Sequence, residues 1–161
     1  MPVVESSIVV PVPPEVAFAV SQTTGAIRMR WDVFIREQRL LGGAEVPAVG
    51  VQTLTVSRRG LRMVSEYVSY RPPTSVGMKV TRLPWFFEKL GGGWRFAPHE
   101  GGGTLATWKY NFSCTPKLIA PIAEWIGVRL IRHDIDRRIA GFAQGCADPV
   151  VVAAARASLD S

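Results

Sequence analysis

Apolar and polar residues alternate along most of the first 114 positions and then change to a helical period. Successive side chains on a strand point to opposite faces, whereas one face of a helix recurs every three or four residues. The alternation predicts strands over 3–10, 33–41, 49–58, 61–71, 75–83, 94–99 and 104–114. Gly42-Gly43, Arg59-Gly60, Pro72-Pro73 and Gly101-Gly102-Gly103 punctuate them at short spacings, which favours sequential antiparallel hairpins. Between the first two strands, Pro13-Pro14 and Glu15 open a short helix over 14–22, since proline and acid both suit a first helical turn. Thr24-Gly25 interrupts it, and 26–31 forms a second short helix.

After the last strand, Thr115-Pro116 reads as an N-cap and first position for a long helix over 117–144. Val128, Ile131, Ile135, Ile139 and Phe142 make one apolar stripe on it. Leu118, Ile119, Ile122, Ile126 and Leu130 make another, rotated from the first, with Gly127 near the junction. Either the helix bends there or its first half packs on something other than the sheet. Asp148-Pro149 caps a last helix over 150–159. No repeat or linker divides the chain, so 1–147 is read as one domain and 148–161 as a C-terminal extension.

The hairpin from Gly93 to Phe112 carries the densest chemistry. Its alternation places Trp94, Phe96, Trp108, Tyr110 and Phe112 on one face. Such a face fills a solid core or walls a cavity, and Tyr110 and the indole N–H groups could orient a polar group of an apolar ligand.

Several local patterns occur in a telling order. Val12-Pro13-Pro14-Glu15-Val16-Ala17-Phe18 joins the first strand to the first helix. Arg30-Trp31-Asp32 steps into the second strand. Tyr70-Arg71-Pro72-Pro73 stops a central strand, and Gly103-Thr104 opens an aromatic one. Together, over about residues 3 to 145, they resemble the START-like (SRPBCC) superfamily, which includes the Bet v 1-like proteins and the polyketide cyclase/dehydrase-like family. The resemblance implies an α+β helix-grip fold: a curved antiparallel sheet wrapped around a long C-terminal helix, with two short helices after the first strand. It also implies an apolar cavity between sheet and helix, of the kind that holds lipids, polyketides or quinone-like molecules. Trp31 would then pack near the base of that cavity, and Ile126 and Leu130 would cap its opening.

Pro84-Trp85-Phe86-Phe87 follows a strand and precedes Gly91-Gly92-Gly93. Three consecutive rings cannot all point inward from a strand. Trp85 and Phe86 therefore gate the cavity with the glycines as hinge, contact a membrane or partner, or pack on the core edge. Arg28, Arg30, Glu66, Tyr67 and Lys109 are candidate polar groups for a cavity. The strand over 61–71 is apolar on both faces, which leaves the phase of Glu66 and Tyr67 ambiguous. The expected ligand-binding set is Trp31, Tyr67, Trp85, Phe86, Trp94, Phe96, Trp108, Tyr110, Phe112, Ile126 and Leu130.

Bulk properties narrow the classes. A chain of 161 residues, 47% hydrophobic and 20% charged, is globular. No apolar run is long enough to span a bilayer. The N-terminus lacks the basic region of a signal peptide, so the expected location is the cytoplasm. The net charge is +6, but the arginines are scattered and no polybasic tail exists, which argues against specific nucleic-acid binding. Cys114 and Cys146 have no metal spacing, and no HxxxH, HxH or CxxC pattern occurs. His99 borders a glycine turn, and His133, Asp134 and Asp136 diverge on a helix. That segment, with Arg137 and Arg138, reads as a solvated face. No metal or cofactor is expected, and neither a nucleophile elbow nor a phosphate loop is present.

These readings converge on a domain that binds a small hydrophobic molecule between sheet and long helix. The alternatives are a cyclase or aromatase acting on a polyketide-like chain, and a module that docks on a membrane or partner to present lipid.

Overall fold

In the computed structural model, which describes residues 1–161, all seven strands join one antiparallel sheet. The strands are β1 (Val3–Val10), β2 (Ile35–Leu40), β3 (Gln52–Ser57), β4 (Arg62–Arg71), β5 (Ser75–Arg82), β6 (Phe87–Pro98) and β7 (Thr104–Cys114). Their order is β1-β7-β6-β5-β4-β3-β2, a meander whose last strand pairs with the first. Helices α1 (Pro14–Ser21) and α2 (Gly25–Trp31) lie between β1 and β2, and α3 (Ala120–Ala147) and α4 (Pro149–Leu159) follow β7. The sheet curves around α3, which packs chiefly on β1 and β7. This is the helix-grip architecture expected from the sequence.

The aromatic alternation becomes cross-strand packing. Register sets Trp94 opposite Trp108 and Phe96 opposite Ala106. Trp94 stacks on Trp108 at 4.3 Å between centroids, and Phe142 of α3 lies 4.6 Å from Trp94. Phe18 of α1 meets Phe96 edge-on at 5.7 Å. The stripe through Ile135, Ile139 and Phe142 thus faces the core. The other stripe faces solvent: Ile122, Ile126 and Leu130 on α3 and Leu118 ahead of it are exposed.

The structure differs from the sequence reading at two consequential places. First, β6 begins at Phe87, not Trp94, and Gly91-Gly92-Gly93 lie inside it rather than in a hinge. They pair with Lys79, Met78 and Gly77 on one side and with Asn111, Tyr110 and Lys109 on the other. A Cβ on Gly92 would collide with the Lys109 carbonyl and the Tyr110 ring, and one on Gly93 with the Val76 carbonyl. The glycines are needed because neighbouring backbone approaches too closely for a side chain.

Second, α3 begins at Ala120, with Pro121 in its first turn. Thr115 is not its cap. The Thr115 N–H donates to the Phe86 carbonyl, so the chain is still leaving the sheet there. The helix runs unbroken through Gly127, which sits where a Cβ would come within 2.8 Å of the Phe112 ring.

The last helix forms as expected, over Pro149–Leu159, and packs on the core. Asp148 Oδ1 accepts from the Val150 N–H at 2.9 Å, capping α4. Val151 and Ala155 are fully buried in the same cluster as Val16 and Phe18 of α1.

The close approach of α3 to α2 depends on Gly141 and Gly145. A Cβ on Gly141 would strike the Trp31 carbonyl oxygen, and one on Gly145 would lie 2.8 Å from Trp31 Cβ. Gly141→Ala should therefore lower stability by about 1–3 kcal/mol through overpacking, although alanine favours helix by itself. Urea unfolding checks this, and an unchanged or raised midpoint would show that α2 can move away at no cost.

Candidate functional site

Alternate residues on the concave side of the sheet enclose one cavity beneath the α1–α2 connection. Thr53 and Thr55 come from β3, Ser65 and Tyr67 from β4, Met78 and Val80 from β5, and Trp108 and Tyr110 from β7. Arg28 of α2 and Arg138 of α3 reach in from the helices. Its volume is about 110 Å³. Clefts that engulf a whole drug-sized ligand run to roughly 300–1,000 Å³, so this one accommodates a small molecule or one end of a longer one. Ten of its 23 lining residues are hydrophobic, and polar groups are grouped on one side of it.

The polar wall is backed by a buried charge cluster. Asp32, just past the end of α2, is fully buried. Arg138 holds it in a fork, with Nε donating to Oδ1 at 3.0 Å and Nη2 to Oδ2 at 2.8 Å. Arg28 Nε donates to Oδ2 at 3.0 Å, and its Nη1 donates to the Ser21 carbonyl at 2.6 Å. Each guanidinium also lies over rings: Arg138 Cζ is 4.3 Å from the Trp108 centroid and 4.7 Å from that of Phe34, and Arg28 Cζ is 4.3 Å from that of Trp31. Forked pairing and stacking suit arginine and not lysine. Arg138 Nη1 donates to the Tyr110 hydroxyl at 3.0 Å, and the Tyr67 hydroxyl donates to Gln22 Oε1 at 2.9 Å.

Burial alone would push the Asp32 carboxyl up, but the guanidiniums of Arg138 and Arg28 outweigh it and hold the group at about 2. Burial lowers Arg28, with Asp32 opposing and Arg138 adding to the fall. Arg138 is raised: burial works against its charge, and Asp32 and Tyr110 more than offset that. Burial pushes Tyr67 up to about 12 against the pull of Arg28. The Asp32 carboxylate is therefore ionised near neutral pH, and the Tyr67 hydroxyl keeps its proton.

Of the expected ligand-binding residues, Tyr67, Trp94, Trp108 and Tyr110 line the cavity. Trp31, Phe96 and Phe112 are buried in the core beside it. Trp85, Phe86, Ile126 and Leu130 are exposed and do not line it. Gly92 stands opposite Tyr110 and leaves room for its ring. The phase of β4 is settled by pairing: Ser65 and Tyr67 line the cavity and Glu66 does not. His99 and His133 are exposed.

Arg138, read as part of a solvated face, is instead buried, and Asp32 and Thr53 were passed over. One signal for Arg138 was available. It lies three residues after Ile135 and four before Phe142, on the core stripe. Arginine at such a position requires a buried partner. Nothing local in the sequence identifies Asp32 as that partner, 106 residues away.

Asp32→Asn leaves two buried guanidiniums without a counter-charge and should cost about 3–5 kcal/mol. The Asp32 carboxyl is lower in the folded chain than its ordinary value near 3.9. Its stabilisation is thus complete above about pH 4 and is lost as pH falls toward 2. Urea midpoints from pH 5 to 2.5 should drop for the wild type and flatten in this variant. Parallel pH profiles would mean that other carboxylates carry the acid sensitivity.

Solved structures share this fold at low identity. A protein of Thermus thermophilus is 15% identical, with a TM-score of 0.72 over 96% of this chain and 99% of that one. A START superfamily protein from Mycobacterium smegmatis is 11% identical, with a TM-score of 0.70 over 88% and 94%. The di-domain ARO/CYC BexL, from the BE-7585A biosynthetic pathway, is 18% identical, with a TM-score of 0.64 over 91% of this chain and 50% of that one. No curated protein sequence matches the chain. The family model described as polyketide cyclase/dehydrase and lipid transport matches residues 1–149. With that match across the sheet, both short helices and all of α3, the chain belongs to the polyketide cyclase/dehydrase and lipid transport family.

Proposed function

We propose that this protein binds a small, largely apolar molecule at the concave face of the sheet. The observation that carries this is the two-sided cavity. Met78, Val80, Trp94 and Trp108 supply apolar wall, and fixed donors on Arg28 and Tyr110 face them. Burial of the ligand's apolar part supplies the affinity, at about 25 cal/mol per Å² removed from water. The polar wall sets its orientation. The family's lipid-transport description and the START-superfamily neighbour support this reading.

A cyclase or aromatase reading has less behind it. Proton transfer near neutral pH needs a group able to exchange there. Asp32, behind Arg28 and Arg138, is held at about 2, Tyr67 on the cavity wall at about 12, and both histidines lie on the surface. The surroundings favour holding a molecule over moving its protons.

A test begins with N-phenyl-1-naphthylamine, a neutral apolar fluorophore, and with native mass spectrometry of the purified protein. Saturable fluorescence enhancement is expected, and a protein with neither a bound molecule nor fluorophore binding would end the reading. Trp85 and Phe86 sit on the β5–β6 connection as an entry element. Trp85→Ala and Phe86→Ala should change fluorophore on- and off-rates while altering stability by less than about 0.5 kcal/mol, because exposed side chains contribute little. Equal loss of stability and binding would mark them as edge packing.

One observation favours delivery of the ligand at a membrane. Trp85 is 78% exposed and Leu118 93%, with Phe86, Ile119, Ile122 and Trp125 also exposed. The Phe86–Thr115 hydrogen bond ties the two segments together at one end of the sheet. A patch of this kind marks an interaction site. Lys89, Lys117 and Arg129 belong to the same segments, and Arg129 stacks on Trp125 with Cζ 4.1 Å from its centroid. Basic groups beside exposed rings suit an anionic bilayer. The protein should co-sediment with phosphatidylglycerol vesicles more than with phosphatidylcholine ones, and Leu118→Glu should abolish this. A concentration-dependent dimer lost in the same variant would instead assign the patch to a second copy of the chain.

A further inference from the structure

The cavity's polar wall carries more than orientation, and its charge does not balance. Two guanidiniums face one carboxylate, which leaves one positive charge enclosed among rings and strands. A buried charge needs a partner, and the cluster holds no second acid. Glu66 lies outside the cavity, and no other carboxylate lines it.

The unused hydrogen-bonding capacity points the same way. Arg28 uses Nε on Asp32 and Nη1 on Ser21, so its Nη2 is left without a protein acceptor. The Tyr110 hydroxyl accepts from Arg138, so its own proton is free to donate. Thr53 Oγ1 is buried with no partner at all, on a residue only 2% exposed. All three residues line the same cavity. An orphaned buried hydroxyl is uncommon in a native protein and calls for an explanation. Here three donors and one surplus positive charge share one small space.

We infer that the cavity takes a carboxylate, head first, with the hydrocarbon part of the molecule extending toward Met63, Met78, Val80 and Leu90. This rests on the ligand-binding reading above and specifies its ligand class. A single negative charge matches the surplus of one. A carboxylate accepts several hydrogen bonds and donates none, which fits donors that lack acceptors. A cationic head would meet two guanidiniums. A neutral alcohol would satisfy Thr53 but leave the charge uncompensated. The volume of about 110 Å³ suits a head group with a short apolar stretch and leaves the rest of a longer chain at the mouth.

The experiment displaces N-phenyl-1-naphthylamine from the full chain with decanoate, decanol and decylamine, at a pH where decanoate is ionised. Decanoate should compete at least about tenfold better than decanol, with decylamine weakest. Thr53→Val removes the orphaned hydroxyl at nearly constant shape. It should shrink the decanoate-to-decanol ratio by several-fold without lowering the urea midpoint, since an unsatisfied group is lost rather than created. Tyr110→Phe should shrink the ratio as well, and Glu66→Gln, on the opposite face of β4, should leave it unchanged. Decanol equal to or better than decanoate, with the fluorophore bound normally, would overturn the carboxylate assignment and leave the apolar-binding reading standing. A fluorophore that does not bind, with no midpoint shift from any of the three decyl compounds, would overturn both.

Discussion

The Asp32 carboxylate, gripped by Arg138 and Arg28, is the interaction on which the rest of the structure depends. It ties the end of α2 to the middle of α3 in the space where sheet and helices meet. Removing ions from water is costly, and only good geometry with additional hydrogen bonds offsets that cost. Those bonds run outward to Ser21, Phe34 and Tyr110, so one carboxylate sets the position of both short helices, the entry to β2 and one wall of the cavity. The rings of Trp31, Phe34 and Trp108 against the guanidiniums hold the charges in place without neutralising them. An apolar core would serve stability as well or better. A charged one gives the cavity chemical character.

Packing then divides the molecule into two unequal parts. Where α3 lies on β1 and β7, the interior is solid, with Phe112, Phe142, Ile135 and Ile139 filling it. Gly127 lets the helix approach Phe112 of β7, and Gly141 and Gly145 let it approach Trp31 of α2. Over β3 to β5 the helix stands away from the concave face, and threonine, serine, methionine and valine line it, with Tyr67 as the one large ring. The same asymmetry leaves the outer stripe of α3 and the Trp85–Phe86 connection in solvent. Ligand-binding face and exposed apolar patch are thus two results of one long helix set to one side of a seven-stranded sheet.

Much of the fold was legible because it is local. Alternation located the strands, and the Val12–Phe18 junction, the Arg30-Trp31-Asp32 step and the Gly103-Thr104 hairpin occurred in an order characteristic of one architecture. The misplaced boundaries share a physical cause. Gly91-Gly92-Gly93 looks like a loop because glycine has no side chain to alternate, yet close backbone on both sides requires it in the ladder. Thr115-Pro116 has the form of a helix start, yet its N–H completes the sheet. In each case a contact distant in sequence overrode a local preference.

The site was legible in part, for the same reason. The period of two determined by itself that Trp94, Trp108 and Tyr110 share a face, since a strand allows no other arrangement. The order of the local motifs, through their resemblance to one superfamily, implied the helix-grip architecture. Which rings wall a cavity and which fill a core was decided only when α3 settled over β7 and away from β3–β5. The Asp32–Arg138 pair was likewise decided by tertiary structure, because burial changes an arginine from a solvated surface charge into one that must find a counter-ion. Periodicity records the face a side chain occupies; only the packing of distant elements determines what lies opposite it.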